Sequence, residues 1–470
     1  MRTTPPNAAG SARTRQGSVL IVVMWITFGV ISLALYFAHS MEMEMRAADN
    51  QLASLQADQA IEAGALYYSN ILFDPPSLNA IPNMLPPTNL YQTAGVRVGE
   101  GMFWVIGRDT NDSQISHRQT DPLFGLVDES RKINLNSVLC QNTTNLQNLP
   151  ILYNNQAIAA NVNAAIYDWM TTNTTPSTGG AKNETYNGLN PAYSFKGTNF
   201  ETVQELSMVY GVNMGLLFGE DANLNGALDP NENDGEVLPP TDNQDGNLDP
   251  GLMEWLTVYT YEPTNLNTWS GGTITATTNR VLVSDLTALT SFLTTNLSSQ
   301  EATIIGKFVV TAPTSVLDFA NRSGISESDF ISIEPFLMNS NVVGQINVNT
   351  ATAAVLSCIP GIGYNGAPTI VSYRQSNPGR LNSIYWLKDA LTSIGTTAIA
   401  QCGPYVTSRS FQYSADIVGV GHFGRGMRRV RFIYDCSSGL PQIIFRQDLS
   451  YLGWPLGKKI HDQLLAGKLR

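Results

Sequence analysis

The stretch QGSVLIVVMWITFGVISLALYFAHS, residues 16–40, determines how the rest of the chain is organised. It carries no charged residue, and arginines lie just upstream of it. At about 1.5 Å per residue, residues 18–38 span the roughly 30 Å hydrocarbon core of a bilayer. A signal peptide has a shorter apolar run, about 7–15 residues, that ends in small residues, whereas this run ends in Tyr36 and Phe37. The stretch therefore predicts a retained transmembrane anchor whose basic N-terminus stays in the cytoplasm.

The chain downstream of the apolar run is predicted to continue as a helix. No proline occurs between residues 18 and 74, and Asp74-Pro75-Pro76 forms a firm stop. Apolar side chains recur at alternating spacings of four and three, which is one stripe of a helix: Met41, Met45, Ala48, Leu52 and Leu55. We therefore predict one stem helix, with a transmembrane part at residues 18–38 and a periplasmic part at residues 39–74. An ordinary single-pass anchor with a helical stalk fits the same pattern.

The composition is that of a folded, acidic protein. The chain has 470 residues, of which 43% are hydrophobic and 14% charged, and its formal net charge is −11. This length allows two or more domains with hydrophobic cores. An acidic surface repels nucleic acid and anionic lipid, and it attracts divalent cations.

The chain has four cysteines, at positions 140, 358, 402 and 436. They are too few and too scattered for a disulfide scaffold, and the absence of a CxxC motif argues against a zinc site. A periplasmic body would permit pairing. Cys358 with Cys402 is then the favoured disulfide, because these two residues flank one predicted helical unit. Free buried thiols are an equally good interpretation.

The N-terminal region resembles the class III signal of type IV pilin-like proteins, since a short basic leader is followed by Gly17 and an uncharged run. In that family a prepilin peptidase cuts after the glycine. The resemblance implies a leader at residues 1–17, cleavage between Gly17 and Ser18, and N-methylation of Ser18. Most members carry a glutamate at the fifth mature position, which is Val22 here. A buried glutamate in lipid is costly unless paired, and this departure resembles the K-type minor pseudopilins of type II secretion, which are large and lack that glutamate.

The body is predicted to contain strands near both of its ends. Residues 101–106 and 124–128 have the composition of short strands. Three further strands follow residue 411, separated by turns at residues 422–426 and 437–441. In the resemblance, these segments complete a pilin-like sheet on the stem.

The region between these strands is predicted to be mainly helical. Residues 157–170 form one helical window. Residues 200–212 are predicted to form another helix, with Thr202 as its cap and Glu205 three residues on. A glycine turn is expected to end this second helix.

Residues 128–138, DESRKINLNSV, and residues 190–213 resemble the K-type family, the former at the junction where its insertion begins. The resemblance implies an α+β fold: a pilin-like long N-terminal helix packed on a small antiparallel sheet, with a large inserted mainly helical domain containing helix-hairpin-helix-like units. The predicted boundaries place the first part of the sheet at residues 95–134, the inserted domain at residues 135–404, and the C-terminal strands at residues 405–458.

The segment DANLNGALDPNE, residues 221–232, matches the twelve-residue calcium loop. Oxygen-bearing side chains stand at positions one, three, five, nine and twelve, namely Asp221, Asn223, Asn225, Asp229 and Glu232. Gly226 supplies the sharp turn at position six, and the carbonyl of Ala227 would supply position seven. Because Pro230 follows position nine, we predict an isolated calcium loop rather than a helix-loop-helix hand. An Asp/Asn/Gly turn that only mimics the pattern is the alternative.

A second segment, TDNQDGNLDPGLME at residues 241–254, fits the calcium pattern less completely. Its matching residues are Asn243, Asp245, Gly246 and Asp249. Thr241 and Leu252 stand where acids are expected, so that Asp242 or Glu254 is the candidate substitute.

Calcium in these loops is expected to be structural. Residues 220–250 hold many carboxylates and no Lys or Arg, and bound cations would relieve their mutual repulsion. A catalytic metal would favour His ligands or an open position, and no His lies between residues 118 and 421. We expect one calcium site in the first segment and a possible second site in the other.

Residues 344–391 form a second helical unit around IPGIG, residues 359–363, which is the hairpin of a helix-hairpin-helix motif. In DNA-binding versions the glycines let backbone N–H groups approach a phosphate. Few cations lie nearby, namely Arg374, Arg380 and Lys388, and the chain is acidic. We therefore expect no nucleic acid as a partner.

The sequence contains no GxSxG, HExxH or phosphate-binding GK[ST] motif, and we expect no enzymatic activity. The resemblance implies a minor pseudopilin in the inner membrane, with a cytoplasmic N-terminus and a periplasmic body. Such a protein caps the tip of the pseudopilus and helps to initiate its assembly for protein export across the outer membrane. The implied partners are the I-type and J-type minor pseudopilins, the major pseudopilin fibre and prepilin peptidase. The alternatives are an uncleaved single-pass periplasmic calcium-binding or adhesin-like protein, and a DNA-uptake protein that uses the hairpin.

Overall fold

The computed structural model describes residues 16–73, 93–109, 120–142, 144–153, 156–270, 272–297, 303, 305–306 and 311–469. The α-helices are α1 (Gln16–Leu72), α2 (Pro150–Tyr153), α3 (Gln156–Met170), α4 (Asn183–Asn187), α5 (Met214–Phe218), α6 (Leu252–Trp255), α7 (Leu286–Asn296), α8 (Val316–Ser323), α9 (Glu327–Ile333), α10 (Ala353–Ser357), α11 (Gly363–Ser376), α12 (Tyr385–Leu391), α13 (Thr396–Cys402) and α14 (Gly457–Leu465). The β-strands are β1 (Val96–Val98), β2 (Gly101–Ile106), β3 (Val127–Asp128), β4 (Ile133–Asn134), β5 (Leu256–Thr257), β6 (Asn265–Ser270), β7 (Thr273–Asn279), β8 (Val281–Leu282), β9 (Leu337–Met338), β10 (Ile346–Asn347), β11 (Val406–Thr407), β12 (Gln412–Val420), β13 (Arg428–Asp435) and β14 (Gln442–Asp448). These elements form the predicted α+β fold, in which one long helix packs on an antiparallel sheet and a mainly helical domain is inserted between the strands.

The stem is a single helix, α1, as the apolar run and its amphipathic continuation predict. Among the described residues, it is the one helix long and apolar enough to cross a membrane. Residues 19–48 are all exposed, so this part of the helix makes few contacts with the body. The predicted stop at residues 74–76 lies outside the described residues, and α1 ends directly before it.

The remainder of α1 packs on the sheet through small side chains. Ala53, Ala57 and Ala60 are fully buried. Strand β12 faces them with glycines: a Cβ at Gly419 would lie 2.3 Å from the carbonyl oxygen of Ala57, and one at Gly421 would lie 2.3 Å from that of Ala53. Any side chain at these two positions would push the helix off the strand, which is why glycine stands there.

The sheet has the strand order β1-β2-β12-β13-β14, and β3 pairs with β12 alongside β2. All of these pairings are antiparallel. The predicted strands at residues 101–106 and after residue 411 are confirmed. The strand predicted at residues 124–128 is shorter, since it consists of β3 and a single bridge between Ile106 and Phe124.

The insertion between β3 and β12 has one continuous hydrophobic core. Short parallel strand pairs, β4–β5, β8–β9 and β10–β11, connect its parts. Helix α3 confirms the helix predicted at residues 157–170. The insertion is therefore a second packed layer beside the sheet, and not an extended loop.

The helix predicted at residues 200–212 is wrong in type and length. The chain forms a 3-10 helix at Val203–Met208, and the predicted capping box of Thr202 and Glu205 begins it. Val209 then adopts extended backbone angles, φ −79° and ψ 132°. The helix ends there because an extended residue cannot continue the helical hydrogen bonds.

The cysteines at positions 140, 358, 402 and 436 are buried free thiols, so the predicted disulfide between Cys358 and Cys402 is not formed. Each of these two sulfur atoms faces a carbonyl oxygen of its own helix, Ala354 at 3.6 Å and Ile399 at 3.9 Å. Burial raises the pKa of both thiols to about 12. They serve as small apolar side chains in the core.

Candidate cation-binding loops

Loop one, residues 221–232, folds around its two terminal carboxylates. Asp221 is fully buried, and its Oδ1 and Oδ2 accept hydrogen bonds from the backbone N–H groups of Asn225 (3.0 Å) and Gly226 (2.9 Å). Gly226 has φ +73°, which is the sharp turn expected of this position. Glu232 Oε1 accepts from the N–H of Ala222 at 3.0 Å. The first and last acids thus fold the loop back on itself.

The interior of loop one holds the remaining predicted ligands. Asp229 Oδ2 accepts hydrogen bonds from the side-chain amides of Asn223 (2.7 Å) and Asn225 (3.0 Å). Ala227, the predicted carbonyl ligand, is fully buried directly after the turn. Amide N–H groups here satisfy the carboxylate that a cation would otherwise bind, and rotation of an amide by half a turn would present oxygen instead of nitrogen.

The buried carboxylates of loop one lie in surroundings that disfavour their ionised forms. Burial, followed by the negative charge of Asp221, raises the pKa of Glu232 to about 8. Burial also raises the pKa values of Asp221 and Asp229. Among the described residues, no three His, Cys, Asp or Glu side chains converge closely enough to hold a metal by themselves. The donor set is instead a mixture of carboxylate, amide and carbonyl oxygens, which is the chemistry that calcium accepts.

Loop two, residues 241–254, repeats the internal hydrogen bonds of loop one. The Asn243 side-chain amide donates to Asp249 Oδ2 at 3.2 Å. Asp245 N–H donates to Asn243 Oδ1 at 2.9 Å, and Asn247 N–H donates to Asp245 Oδ1 at 2.8 Å. Loop one has the equivalent three bonds, whose donors are the Asn223 side-chain amide and the N–H groups of Asn225 and Ala227. The central parts of the two loops therefore have matching hydrogen bonds.

The candidate substitute Glu254 is wrong. Its carboxylate pairs with Arg108 at 2.8 Å and with Arg131 at 3.8 Å, away from the central part of loop two. Burial alone would raise the pKa of Glu254, but the charges of Arg108 and Arg131 lower this pKa to about 2. Glu254 is thus a member of a buried ion-pair group that joins the insertion to the end of β2.

Glu220 supplies the closing carboxylate that the sequence pattern places at the end of loop two. Its Oε1 and Oε2 accept from the N–H groups of Asn243 (3.2 Å) and Asp249 (3.0 Å). Glu232 accepts from Asp229, the ninth residue of loop one, in the same way at 2.9 Å. Burial raises the pKa of Glu220 to about 7. The hydrogen bond from the Asp249 N–H opposes this rise, and the negative charge of Asp249 adds to it.

Asn233 occupies the place of the missing first acid in loop two. Its Oδ1 accepts the N–H of Gly246 at 3.1 Å, as Asp221 accepts the N–H of Gly226 in loop one. Asp242, the other candidate substitute, accepts with Oδ2 from the N–H groups of Asp234 and Gly235, and with Oδ1 from the N–H of Gln244, all at 2.8 Å. Both terminal groups of loop two are therefore borrowed from outside the segment in which the sequence pattern is read.

Two buried arginines fix loop one to the sheet. Arg429 of β13 is fully buried, pairs with Asp416 of β12 at 2.8 Å, and donates to the carbonyl of Leu224 at 2.8 Å. Arg108 donates to the same carbonyl at 3.0 Å. Leu224 has φ +53°, a strained angle that turns its carbonyl toward these guanidinium groups. The sequence analysis missed both arginines, because no spacing rule connects residues so far apart.

The cleavage and methylation residues lie in the first turn of α1, since the helix begins at Gln16 and so includes Gly17 and Ser18. Their side-chain surroundings are outside the described part of the chain. The proposed cleavage thus stays a prediction from the resemblance.

The hairpin at residues 359–363 does join two helices, α10 and α11. Its first glycine packs against the body, because a Cβ at Gly361 would lie 2.8 Å from the carbonyl oxygen of Ala398 in α13, whereas Gly363 at the start of α11 has open space beside it. The unit is therefore packed into the body through its hairpin.

The cations that a nucleic acid would need at this hairpin have partners within the protein. Arg374 is buried and donates to the carbonyls of Val348 (2.8 Å) and Ala351 (2.6 Å). Arg380 pairs with Glu327 at 2.8 Å. The ammonium of Lys388 lies 3.9 Å from the centre of the Tyr385 ring. These contacts give the cations a structural role.

Comparison with known proteins identifies two segments. Residues 131–217 match the family described as type II secretion system (T2SS), protein K, and residues 342–407 match the helix-hairpin-helix motif. None of the curated proteins compared matches the chain. A similar solved structure is the GspK–GspI–GspJ complex of the type 2 secretion system from enterotoxigenic Escherichia coli. The TM-score is 0.43, with 8% identity over 86% of this chain and 99% of that chain.

Proposed function

We propose that this chain, which carries a type II secretion system protein K domain at residues 131–217, acts as a K-type minor pseudopilin. In this role it caps the tip of the pseudopilus and helps to initiate its assembly for protein export across the outer membrane. Its partners are the I-type and J-type minor pseudopilins and the major pseudopilin fibre. The role is structural and requires no catalysis.

The observation that carries this proposal is the position of the K domain in the fold. The matched segment begins at Arg131, in the buried turn that joins the stem-and-sheet part to the insertion. The stem supplies a helix that can pack among other stems, and the insertion adds a bulky domain to one subunit. A subunit of this shape fits the end of a helical fibre better than a repeating position within it.

The stem supports the same role. Residues 18–38 hold the protein in the inner membrane with the N-terminus cytoplasmic and the body periplasmic, and prepilin peptidase removes residues 1–17. Val22 stands where a glutamate would need a partner from a neighbouring subunit. A subunit at the end of a fibre lacks one such neighbour.

The N-terminal mass of the full chain, made with and without prepilin peptidase, tests this class. The expected product is a peptide that begins at methylated Ser18 and forms only with the peptidase. Gly17→Val is the matched control and is expected to stay uncleaved. An intact leader under both conditions would overturn the proposal in favour of an uncleaved anchor.

Loops one and two are proposed to hold structural calcium ions. Loop one offers Asp221, Asn223, Asn225, Asp229, Glu232 and the carbonyl of Ala227. Loop two offers Asn243, Asp245 and Asp249, with Glu220 and Asn233 completing its ends. Bound calcium would supply the positive charge that the buried carboxylates need. Titration of the full chain with calcium, followed by calorimetry, is expected to give two sites, and the absence of any heat of binding would overturn this part.

The helix-hairpin-helix match does not favour DNA uptake. The hairpin packs against α13, and the cations near it are engaged within the body. A salt-dependent shift of duplex DNA by the full chain would be needed to revive that alternative.

A further inference from the structure

Residues 236–240, Glu-Val-Leu-Pro-Pro, project from the surface between loops one and two, and we call them the apolar tip. Val237 is 77% exposed, the largest value for any large hydrophobic side chain among the described residues, including those of the stem. Leu238 beside it is 54% exposed. The two side chains form a small contiguous apolar patch, and an exposed apolar patch rimmed by polar residues is a feature of interaction sites.

The base of the apolar tip is closed by one carboxylate. Asp242 Oδ2 accepts from the N–H groups of Asp234 and Gly235, both at 2.8 Å. The N–H of Asp242 in turn donates to the carbonyl of Gly235 at 3.1 Å. These bonds bring the two ends of the projecting segment together, so that it stands as a closed loop.

The interior of the segment is also held. Leu238 N–H donates to Asp234 Oδ1 at 3.1 Å, and the side-chain amide of Asn231 in loop one donates to the carbonyl of Pro239 at 3.2 Å. The valine and leucine are therefore presented by an ordered backbone and do not fold onto the body. A segment that is already ordered loses less conformational entropy when it binds.

The sequence around the apolar tip carries negative charge only. No Lys, Arg or His occurs in residues 197–279. Asp234, Glu236 and Asp242 flank the two aliphatic side chains, and none of them is in an ion pair among the described residues. A partner that covers the valine and leucine must therefore meet an acidic rim.

We propose that the apolar tip is a docking surface for a folded protein that presents an apolar pocket ringed by Lys and Arg. Val237 and Leu238 enter the pocket, and Asp234, Glu236 and Asp242 face the basic ring. The contact is small, so that it suits a transient complex and not a permanent one. The proposal does not rest on the proposed calcium role of the loops, although both loops border the tip.

The partner is first identified by cross-linking. The photo-reactive amino acid p-benzoylphenylalanine replaces Val237 in the full chain, in cells that assemble the secretion machinery. The matched control places the same group at Tyr451, which is 70% exposed and lies outside the tip. We expect a protein that is cross-linked from position 237 and not from position 451. Equal products from the two positions would overturn the proposal.

Binding by that purified protein then decides the chemistry. The double variant V237S/L238S is expected to raise the Kd at least about tenfold, and Glu236→Lys is expected to raise it as well because it reverses the rim charge. Tyr451→Ser should leave the Kd unchanged. Raising the salt from about 0.05 M to about 0.5 M should weaken the complex, since screening shortens the reach of rim charges. A Kd that responds to neither tip variant would overturn the proposal.

Titration with calcium alone separates the two proposals. V237S/L238S should bind calcium like the unaltered chain, because neither side chain is a candidate ligand. If calcium binds as proposed but the tip variants leave the partner's Kd unchanged, the docking surface fails alone. If calcium does not bind while the tip variants still weaken the complex, the calcium role fails and the docking surface stands.

Discussion

Loops one and two have the same internal hydrogen bonds and differ in the source of their ends. Loop one closes with its own Asp221 and Glu232, whereas loop two closes with Glu220 and Asn233, which lie before its own segment. Loop one is also tied to the sheet by Arg108 and Arg429, and several residues of loop two are exposed. The same internal hydrogen bonds can therefore be closed by acids of the loop itself or by residues from outside the loop.

The difference implies an order of dependence between the loops. Glu220 directly precedes Asp221, and its N–H donates to the carbonyl of Asp249 at 2.9 Å. Formation of loop one therefore fixes the position of the residue that closes loop two. Loop two makes no comparable contribution to the ends of loop one among the described contacts.

The largest expected effect concerns Arg429, which fixes loop one to the sheet and has no counterpart described for loop two. Arg429→Met leaves Asp416 buried with Arg431 as its remaining ion-pair partner, and it leaves the carbonyl of Leu224 with Arg108 as its remaining guanidinium donor. We expect a loss of about 3 kcal/mol in the free energy of unfolding, measured with urea on the full chain. The matched control is Arg446→Met, which breaks the exposed pair with Glu62 and should cost less than about 1 kcal/mol. Equal losses would remove the distinction.

The second prediction concerns dependence between the loops. Glu232→Gln removes the closing carboxylate of loop one, and calcium binding should weaken roughly a hundredfold at loop one and measurably at loop two. Calcium titration by calorimetry resolves the two sites. An unchanged second site would contradict the proposed order of dependence.

The third prediction tests the borrowed end of loop two. Glu220→Gln should weaken only the second calcium site, by roughly tenfold or more, because the closing carboxylate is lost. Glu254→Gln is the matched control: it should leave calcium binding intact and lower the stability, since Arg108 and Arg131 lose a buried partner. The reverse result would restore Glu254 as the ligand.

The smallest expected effect is the pH dependence of the calcium-free protein. The folded-state pKa values of Glu220 and Glu232 are raised to about 7 and about 8, above the ordinary value of 4.5. Their contribution to stability is thus complete below pH 4.5 and is lost as the pH rises through 7 to 8. With a chelator present, the melting temperature of the unaltered chain should fall between about pH 5 and about pH 8. It should fall less for the Glu220→Gln/Glu232→Gln variant. Saturating calcium should abolish this difference.

Structural elements that depend on residues close together in the chain could be predicted from the sequence. The stem helix, strand β2, the three C-terminal strands and the interior of loop one each follow from local spacing. The helix at residues 200–212 failed because Val209 is extended, which no propensity scale indicates.

Features that depend on distant residues could not be predicted. The closing groups of loop two and the arginines beneath loop one are supplied from elsewhere in the chain, and the sequence pattern contains no signal for such contacts. Glu220 could have been considered, since it is an acid one residue before loop one. The pairing of Cys358 with Cys402 failed for a related reason, because position beside a helical unit does not fix the direction of a side chain.

The contact between α1 and β12 also determines how the body would carry a mechanical load. A subunit pushed through its stem transmits force along the helix axis, parallel to the row of alanine and glycine contacts at Ala53, Ala57, Gly419 and Gly421. Force in this direction shears all of the contacts together, whereas force across the helix would peel them one at a time. The close alanine–glycine contacts are thus arranged to resist force along the helix axis.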